Sequence, residues 1–251
     1  MDSGLYAAYT GLLSRTQALD TAANNLANAG TGGFRAEKGL FRGVLVDNLA
    51  GVDGDSQIGS SVNDFGVLGG SMLDFSQGHI SETGNPLDLG LEGDGFFALE
   101  TPRGVLYTRD GGFSRSSTGV LQDAEGDPVS DALGQPIVIP TGAVQVAPNG
   151  TVSVTTDQGN TIVGQIGIFT FPDKKILKAE GTNRFKAPDG RVPVVGTATI
   201  RQGAVEGSNQ DAIQGTMQLV LVQRQTEMMQ RALSVFYTEF DKTAAEELGK
   251  V

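Results

Sequence analysis

The residue types that carry most enzyme chemistry are scarce in this sequence. The 251-residue chain contains one histidine, His79, and no cysteine. A serine–histidine–aspartate triad would have to use His79, which lies in a Ser-Gln-Gly-His-Ile run without the glycine-rich elbow that presents a serine nucleophile. We therefore predict that His79 is a surface or turn residue. One histidine without cysteine also leaves too few ligands for a typical zinc site.

A few acidic patterns could in principle carry other chemistry. Polar side chains alternate over residues 53–57 as in a calcium loop, but Ile58 stands where the sharp turn requires glycine. Gly93-Asp94-Gly95 is similar to part of a dinucleotide-binding loop, yet strands rather than a helix are predicted after it. Asp123 and Asp127 could form a glycosidase pair, although such pairs arise by chance among 29 acidic residues. We predict no enzyme activity, metal or cofactor; a β-rich enzyme or calcium-dependent binding module is the remote alternative.

Charge and hydropathy argue against two further classes of function. The formal net charge of −11 would be repelled by a phosphate backbone, so we predict no nucleic-acid partner. No run of about 18 apolar residues is present, so we predict no membrane span. The N-terminus lacks the basic flank and apolar core of a cleaved secretory signal. Contacts with other proteins are then the main candidates for function.

The N-terminal stretch predicts a helix built for such contacts. Leu5, Leu12, Leu19 and Leu26 recur every seven residues, which places one narrow apolar seam along a helix, as in a coiled coil. Only three charged residues occur between positions 1 and 28. A lone surface helix has one strongly charged side. The helix is therefore expected to be surrounded by other helices.

The C-terminal stretch from Ser208 predicts a second, longer helix with two apolar stripes. A capping signature opens it, and a helix from Asp211 to Leu248 would span about 55 Å at 1.5 Å per residue. One stripe consists of Val222, Thr226, Met229, Leu233, Phe236 and Phe240. The other consists of Ile213, Met217, Leu221, Met228 and Val235. One shorter helix cannot cover two apolar stripes. The remaining apolar surface is therefore expected to contact other copies or other proteins.

Between the helices, short strands and turns are predicted. Residues 96–99 and 105–108 flank a Pro-Arg-Gly turn and read as a hairpin. Residues 144–146 and 152–154 flank Asn149-Gly150, one of the strongest short hairpin signals. Another strand is predicted over residues 166–171. Strands at this spacing with glycine turns indicate an all-β body.

These elements predict an α+β fold that is mainly β. The two terminal helices, in segments 1–33 and 208–251, are expected to form a coiled-coil-like axial domain. The all-β body, residues 75–207, is inserted between them. A glycine-rich stretch over residues 34–74 is expected to be an extended connection.

The end of the first helix carries the residues expected to form a hinge. They are Asn24, Asn25, Leu26, Ala27, Asn28, Thr31, Gly33 and Phe34. Amide side chains at a helix end can satisfy carbonyls that lack an intrahelical partner. Glycines permit the tight reversal that follows. The alternative is a plain helix cap followed by a core phenylalanine.

Four blocks of this sequence resemble the bacterial flagellar rod and hook proteins. They are Asn24-Asn25-Leu26-Ala27-Asn28 with Thr31, Gly33 and Phe34; Pro86 to Leu91 with Gly93 to Phe97; Tyr107 to Phe113 with Gly119 to Leu121; and Gly203 to Asn209. The blocks occur in order over nearly the whole chain. Where distal-rod and hook members carry Gln-Arg-Ala-Tyr in the last helix, this chain has Val222 to Met228 without that motif, and it is more similar to the proximal-rod type.

The resemblance implies a structural protein that polymerises. The assembly contacts would use Leu5, Leu12, Leu19, Leu26, Val222, Met229, Leu233, Phe236 and Phe240. The terminal helices would line a helical tube whose outer wall is the β body. That tube is the periplasmic rod of the flagellar basal body, which transmits torque from motor to hook. Implied partners are other copies, other rod proteins, the surrounding ring proteins and the flagellar export apparatus. A distal-rod protein or another member of the axial family is the alternative.

Overall fold

The computed structural model describes residues 2–42, 67–157 and 159–248. Helix α1 (Asp2–Ala27) begins the chain and helix α2 (Ala212–Leu248) ends it, with short strands between them. The prediction of a mainly β chain with one helix at each end is therefore confirmed. Over these residues, no helix is both long and apolar enough to cross a membrane.

The chain divides into two compact units. The helical unit comprises Met1–Leu26, Glu37–Met72 and Ile213–Val251, and the β unit comprises Ala27–Ala36 and Leu73–Ala212. In the helical unit, neither helix contains proline, and α1 is rich in alanine and leucine, which have high helix propensity. Strands β1 (Glu37–Arg42) and β2 (Val67–Leu73) form a two-stranded sheet within the stretch expected to be extended. The calcium alternative at residues 53–57 lies outside the described residues.

The β unit contains short antiparallel sheets. The largest has the strand order β13 (Lys178–Ala179), β14 (Arg184–Lys186), β6 (Gly104–Thr108), β5 (Phe96–Thr101), β12 (Ile168–Thr170) and β15 (Val194–Val195). A three-stranded sheet has the order β11 (Gly159–Gln165), β10 (Thr151–Thr156) and β9 (Ala143–Val146). Pairs are formed by β16 (Thr199–Gln202) with β4 (Leu89–Glu92), β17 (Ala204–Glu206) with β3 (Ile80–Glu82), and β7 (Ser114–Arg115) with β8 (Leu121–Gln122).

Both predicted hairpins are confirmed. Strands β5 and β6 pair from Phe97 opposite Thr108 to Thr101 opposite Gly104. Strands β9 and β10 pair around the predicted Asn-Gly turn, where Gly150 has a φ of 87°. That left-handed conformation is accessible to glycine without a steric penalty. Local turn chemistry therefore sets these two registers.

The prediction of a strand over residues 166–171 is wrong at the beginning of that range. Strand β11 ends at Gln165 and β12 begins at Ile168. At Gly167 the backbone turns away and donates a hydrogen bond to the Ser130 carbonyl at 3.2 Å. A Cβ atom on Gly167 would lie 2.7 Å from the Asp131 carbonyl oxygen. The close approach of the 130–131 segment interrupts the strand.

Strand β5 is buried on both faces, because successive side chains point to opposite sides of a strand. Phe97 and Leu99 belong to a large aliphatic core, together with residues such as Leu91, Val152 and Ile200. Phe96 and Ala98 face a second core. Its rings, from Phe75, Phe96, Tyr107, Phe169, Phe171 and Phe185, meet mostly edge to face with centroids 4.9–6.4 Å apart. Because β5 packs against a core on each face, its backbone is held from both sides.

Gly111 supplies a test of this packing. A Cβ atom there would lie 1.8 Å from the Leu89 carbonyl oxygen, whereas one on Gly30 would meet nothing within 4 Å. We expect Gly111→Ala to lower the free energy of opening of the β unit by about 3 kcal/mol, since backbone atoms must move. Gly30→Ala is the matched control and should change it by less than about 0.5 kcal/mol. Hydrogen exchange of the β5 amides measures both, and equal effects would contradict the packing described for Gly111.

Candidate functional site

Beyond residue 8, helix α1 buries small residues rather than leucines. The most buried positions beyond residue 8 are Gly11, Ser14, Ala22 and Asn25. These recur at intervals of three, eight and three, which places them on one side of a helix. Small side chains let a neighbouring element approach closely. The side of α1 that is covered within the subunit is therefore a different one from the leucine seam.

The leucine seam lies at the border of that buried side. Leu12, Leu19 and Leu26 are half-buried. Tyr9 and Leu13, further round the helix, are exposed. The side chain of Leu5 lies outside the described residues. The seam is thus incompletely covered within a single subunit.

Helix α2 has one covered stripe and one uncovered stripe. Val222, Thr226 and Leu233 are buried and Met229 is half-buried, at the alternating spacing of four and three predicted for the first stripe. The second stripe, Ile213, Met217, Leu221, Met228 and Val235, is between 56% and 74% exposed. The side chains of Phe236 and Phe240 lie outside the described residues.

One polar contact joins the two helices. The Arg15 guanidinium donates a hydrogen bond to the Gln225 amide oxygen at 3.1 Å. Gln225 lies in the run from Val222 to Met228 that replaces the Gln-Arg-Ala-Tyr motif. The buried stripe of α2 is therefore flanked by a polar link to α1.

Asn25 binds the following strand instead of carbonyls of its own helix. Its side-chain oxygen accepts the Glu37 backbone N–H at 2.9 Å, and its side-chain nitrogen donates to the Glu37 carbonyl at 2.8 Å. The buried amide thus makes two hydrogen bonds with the backbone of the first residue of β1, one as acceptor and one as donor. The expectation that the amides close the helix end is wrong for Asn25, because the backbone of Glu37 offers both a donor and an acceptor.

The remaining motif residues lie at the entrance to the β unit. Asn24 and Ala27 are exposed, and Asn28 and Thr31 are half-buried. The Asn28 side-chain oxygen accepts the Thr31 hydroxyl at 3.2 Å, and its backbone carbonyl accepts the Thr31 N–H at 3.1 Å. The motif therefore ends α1 with a short hydrogen-bonded turn.

Gly33 and Phe34, the last two residues of the motif, are buried. Gly33 has a φ of 66°, and a Cβ atom there would lie 2.2 Å from the backbone nitrogen of Asp110. Both observations require glycine at this position. Gly33 therefore has the positive φ that was expected of a glycine after the helix.

A buried carboxylate, Glu206, lies next to this reversal. It receives the Arg35 guanidinium on Oε1 at 2.5 Å and the Arg109 guanidinium on Oε2 at 2.9 Å. The Gly78 backbone N–H donates to Oε1 at 2.7 Å, and the Gly33 N–H donates to the Glu206 backbone carbonyl at 2.8 Å. The side chain of Glu206 is 0% exposed. Glu206 thus joins its own segment to three others, which carry Gly33 and Arg35, Gly78, and Arg109.

The two arginines of this cluster have further contacts. Arg109 donates to the Gly93 carbonyl at 2.7 Å, and its guanidinium lies 5.3 Å from the centre of the Phe96 ring. Arg35 donates to the Phe34 carbonyl at 2.9 Å. Burial lowers the pKa of the Arg35 guanidinium below its usual range; Glu206 opposes this shift and Arg109 adds to it. The nearby carboxylate therefore favours the charged form of Arg35, which burial disfavours.

Asn209 makes a second junction just before α2. Its side-chain oxygen accepts the Ala36 N–H at 2.8 Å. Its side-chain nitrogen donates to the Asp74 carbonyl at 2.7 Å and lies within hydrogen-bonding distance of Ser76. The Asp74 N–H donates in turn to the Ala36 carbonyl at 2.8 Å. Segments 34–36, 74–76 and 206–209 are therefore bound to one another.

The acidic residues considered for catalysis bind cations of the chain itself. His79 is exposed. Asp123 and Asp127 both bind Arg184, so their carboxylates are paired with a cation of the chain itself. Asp94 binds Lys174 at 2.6 Å. In the described part of the chain, no three side chains of the metal-binding types are grouped to hold an ion.

Sequence reasoning missed Arg35, Arg109, Glu206 and Asn209. The first three are charged residues inside glycine-rich or apolar blocks, which is the signal that could have pointed to a buried cluster. Their pairing could not be read from the sequence, because Arg35 and Glu206 are 171 positions apart. In the fold, the four blocks that resemble the rod and hook proteins all contribute to the contacts around Glu206.

Glu206→Gln tests the buried cluster. The substitution keeps the shape of the side chain but leaves two buried guanidinium groups without a carboxylate, which should cost about 3–5 kcal/mol. Glu92→Gln is the control, since Glu92 pairs with Arg201 at an exposed position and should cost no more than about 1 kcal/mol. Hydrogen exchange of β5 amides reports the opening free energy. Losses of equal size would show that the cluster is not structurally required.

Comparison with known proteins identifies two family models in this chain. Residues 90–154 match the model described as the flagellar hook protein FlgE/F/G D1 domain. Residues 5–35 match the flagella basal body rod protein model. The two matches include α1 with its terminal motif and the central strands around β5 and β6.

Full-length relatives give the same result. The flagellar basal-body rod protein FlgF of Caulobacter vibrioides is 34% identical over 252 residues, covering 100% of both chains. FlgF of Mesorhizobium japonicum is 34% identical over 89% of each chain. The rod protein FlgG of Agrobacterium fabrum is 31% identical over 90% of this chain and 92% of its own. The chain belongs to the flagellar basal-body rod protein family and is a structural subunit of the basal-body rod.

Proposed function

We propose that the terminal helices are the element through which this subunit polymerises. The uncovered stripe of α2 carries the proposal: five large apolar side chains are more than half exposed on one helix. Three of them, Met217, Leu221 and Met228, line a shallow groove of about 540 Å³. Covering a side chain of this kind contributes about 1.5–3 kcal/mol. Contacts of this size, repeated in every subunit, would make a stiff shaft.

The leucine seam of α1 would supply the complementary surface. Leu12, Leu19 and Leu26 are only half-buried within the subunit, so the rest of their area is available to helices of neighbouring copies. A seven-residue repeat of leucines is the pattern by which helices pack in coiled coils. We therefore assign the assembly contacts to Leu5, Leu12, Leu19 and Leu26 together with the uncovered stripe of α2. Of the α2 residues expected from the sequence at assembly contacts, Val222 and Leu233 are buried within the subunit, so we assign them to holding α2 in the subunit.

The mechanism in this proposal is mechanical and uses no enzyme activity, metal or cofactor. The rod transmits torque, and its subunits contact other copies and other rod proteins. The segment from Asn24 to Phe34 connects the axial helix to the β unit. The contacts of Gly33 and Asn209 support this role, because they bind the ends of both connecting segments to a packed sheet.

Within the family, we assign the chain to the proximal-rod type. Two relatives named FlgF are 34% identical to it, and its last helix lacks the Gln-Arg-Ala-Tyr run typical of distal-rod and hook members. The distal-rod type is the alternative, since relatives named FlgG are 31% identical. Labelling of this chain in intact basal bodies would separate the two by position.

Leu12→Asp tests the seam. A carboxylate there would have to be desolvated on assembly, at a cost of several kcal/mol in every subunit. We expect an exported protein with a normally folded β unit that does not enter rods. Motility and the amount of protein in purified basal bodies measure the effect.

The control for Leu12→Asp is Gln17→Asp, which adds the same charge to the same helix at an exposed position. It should assemble as the unmodified chain does. Assembly of Leu12→Asp at the level of this control, or unfolding of its β unit, would contradict the assignment of the seam.

The isolated subunit offers a second test. Beyond residue 8, the most buried positions of α1 within the subunit are small or polar residues, so little described apolar area holds the helix before assembly. We expect weak hydrogen-exchange protection from Leu12 to Leu26 in a verified monomer and strong protection from Phe96 to Thr101. Equal protection of both would mean that α1 is stabilised within the subunit, and the seam would not need a neighbour.

A further inference from the structure

Two arginines lie within the uncovered stripe of α2. Arg224 follows Ile213 by eleven residues and Arg231 follows Arg224 by seven, about three and about two helical turns, so both lie on the side of the stripe. Arg224 lines the same groove as Met217 and Leu221. Both arginines are exposed. In the part of the chain that the structure describes, neither has an ion-pair partner.

The carboxylate nearest to the arginines in the sequence does not neutralise both. Glu227 lies between them and accepts a hydrogen bond from the Gln223 amide nitrogen at 3.2 Å. From Ala212 to Val235 the helix holds two arginines and this one carboxylate, a net charge of +1. Between residues 3 and 27, α1 contains one charge of each sign, Arg15 and Asp20. The stripe is therefore apolar with a small excess of positive charge.

The end of α2 has the opposite charge. From Phe236 to Leu248 it contains four carboxylates and one lysine, a net charge of −3. No basic residue occurs in the last turn of the helix, which contains Glu246 and Glu247. Acidic side chains at a helix C-terminus are unfavourable, because the helix dipole is negative there. The helix therefore ends in a turn that a cation from elsewhere would stabilise.

Two of these carboxylates have the same spacing as the arginines. Glu239 and Glu246 are seven residues apart, as the two arginines are, and each lies fifteen positions after one arginine. Glu239 follows Met228 by eleven residues, so the helical period continues the uncovered stripe through both glutamates. Their side chains lie outside the described residues, and the helix backbone alone places them on this side.

We propose that the α2 helices of two copies pack in parallel through their uncovered stripes, displaced by fifteen residues, so that the arginine pair of one copy binds the glutamate pair of the next. The displacement is about 22 Å at 1.5 Å per residue. Ion pairs between helices set register and orientation in coiled coils in the same way. This contact rests on the proposed function, because it takes the uncovered stripe to be an assembly surface, and it adds the occupant and the register.

The same displacement matches the apolar residues of the stripe. It places Ile213 opposite Met228, and it places Val220 opposite Val235. These four side chains are between 43% and 74% exposed within the subunit. Parallel displaced helices leave part of each stripe free for a further copy, so the contact repeats without closing. A rod requires such a contact, whereas antiparallel helices joined by the same ion pairs would close as a dimer.

Cysteine pairs test the register, because the chain has no cysteine of its own. One variant combines Val220→Cys with Val235→Cys, and a second combines Ile213→Cys with Met228→Cys. The two controls recombine the same substitutions: Ile213→Cys with Val235→Cys, and Val220→Cys with Met228→Cys. Intact basal bodies that contain each variant are treated with a mild oxidant. We expect disulfide-linked multimers of this chain from the first two variants and about tenfold fewer from the controls, since the two Cβ atoms must lie within about 4.5 Å.

A charge exchange tests the ion pairs. In the variant with cysteines at positions 220 and 235, Arg224→Glu should lower the yield of disulfide-linked multimers about tenfold, because it brings two carboxylates together. Adding Glu239→Arg should restore the yield. Adding Glu247→Arg instead, on another side of the helix, should not. Equal yields from these two combinations would overturn the pairing.

Labelling with a maleimide distinguishes failure of the register from failure of the proposed function. A single Val220→Cys or Val235→Cys substitution should be protected from the reagent in intact basal bodies. Protection together with equal multimer yields from paired and control variants, or with no multimers from any of them, would overturn the register and leave the proposed function standing. Rapid labelling at both positions would contradict the proposed function, and the α2 contact with it.

Discussion

The buried carboxylate of Glu206 is the contact on which the arrangement of the β unit depends. It binds Arg35, Arg109 and the backbone of Gly78 at once, with no exposure of its side chain. Burying three charged groups is costly, and a well-packed apolar cluster of the same volume can be more stable. The ionic cluster provides a specific geometry instead. Oε1 accepts from Arg35 and Gly78 and Oε2 accepts from Arg109, so the segments that carry these donors are held in one arrangement.

This arrangement matters for the proposed role because it holds the segment that follows α1 and the segment that precedes α2. The chain leaves α1 through Gly33, whose N–H is bound to the Glu206 carbonyl. It approaches α2 through Asn209, whose side chain is bound to the Ala36 backbone. In a rod that carries torque, a load on either helix would reach a sheet with two packed cores through hydrogen-bonded segments.

The elements that sequence reasoning predicted are those set by local chemistry. The Asn149-Gly150 turn and the period of the apolar residues in α2 act over a few positions, and both were confirmed in the structure. The buried cluster was not predicted, because Arg109 and Glu206 are 97 positions apart and pair only once the fold exists. The covered side of α1 was missed for another reason. Periodicity reveals large apolar side chains, whereas α1 buries small residues such as Gly11 and Ala22, which carry little hydrophobic signal.

The central claim is that the rod is held together by the helix surface that a single subunit leaves uncovered. A density map of the intact basal body, at a resolution that shows side chains, tests it directly by locating Met217, Leu221 and Met228 of this chain. We expect these side chains to be buried against helices of neighbouring subunits. Finding them in contact with solvent, with the neighbouring subunits held by other surfaces, would contradict it.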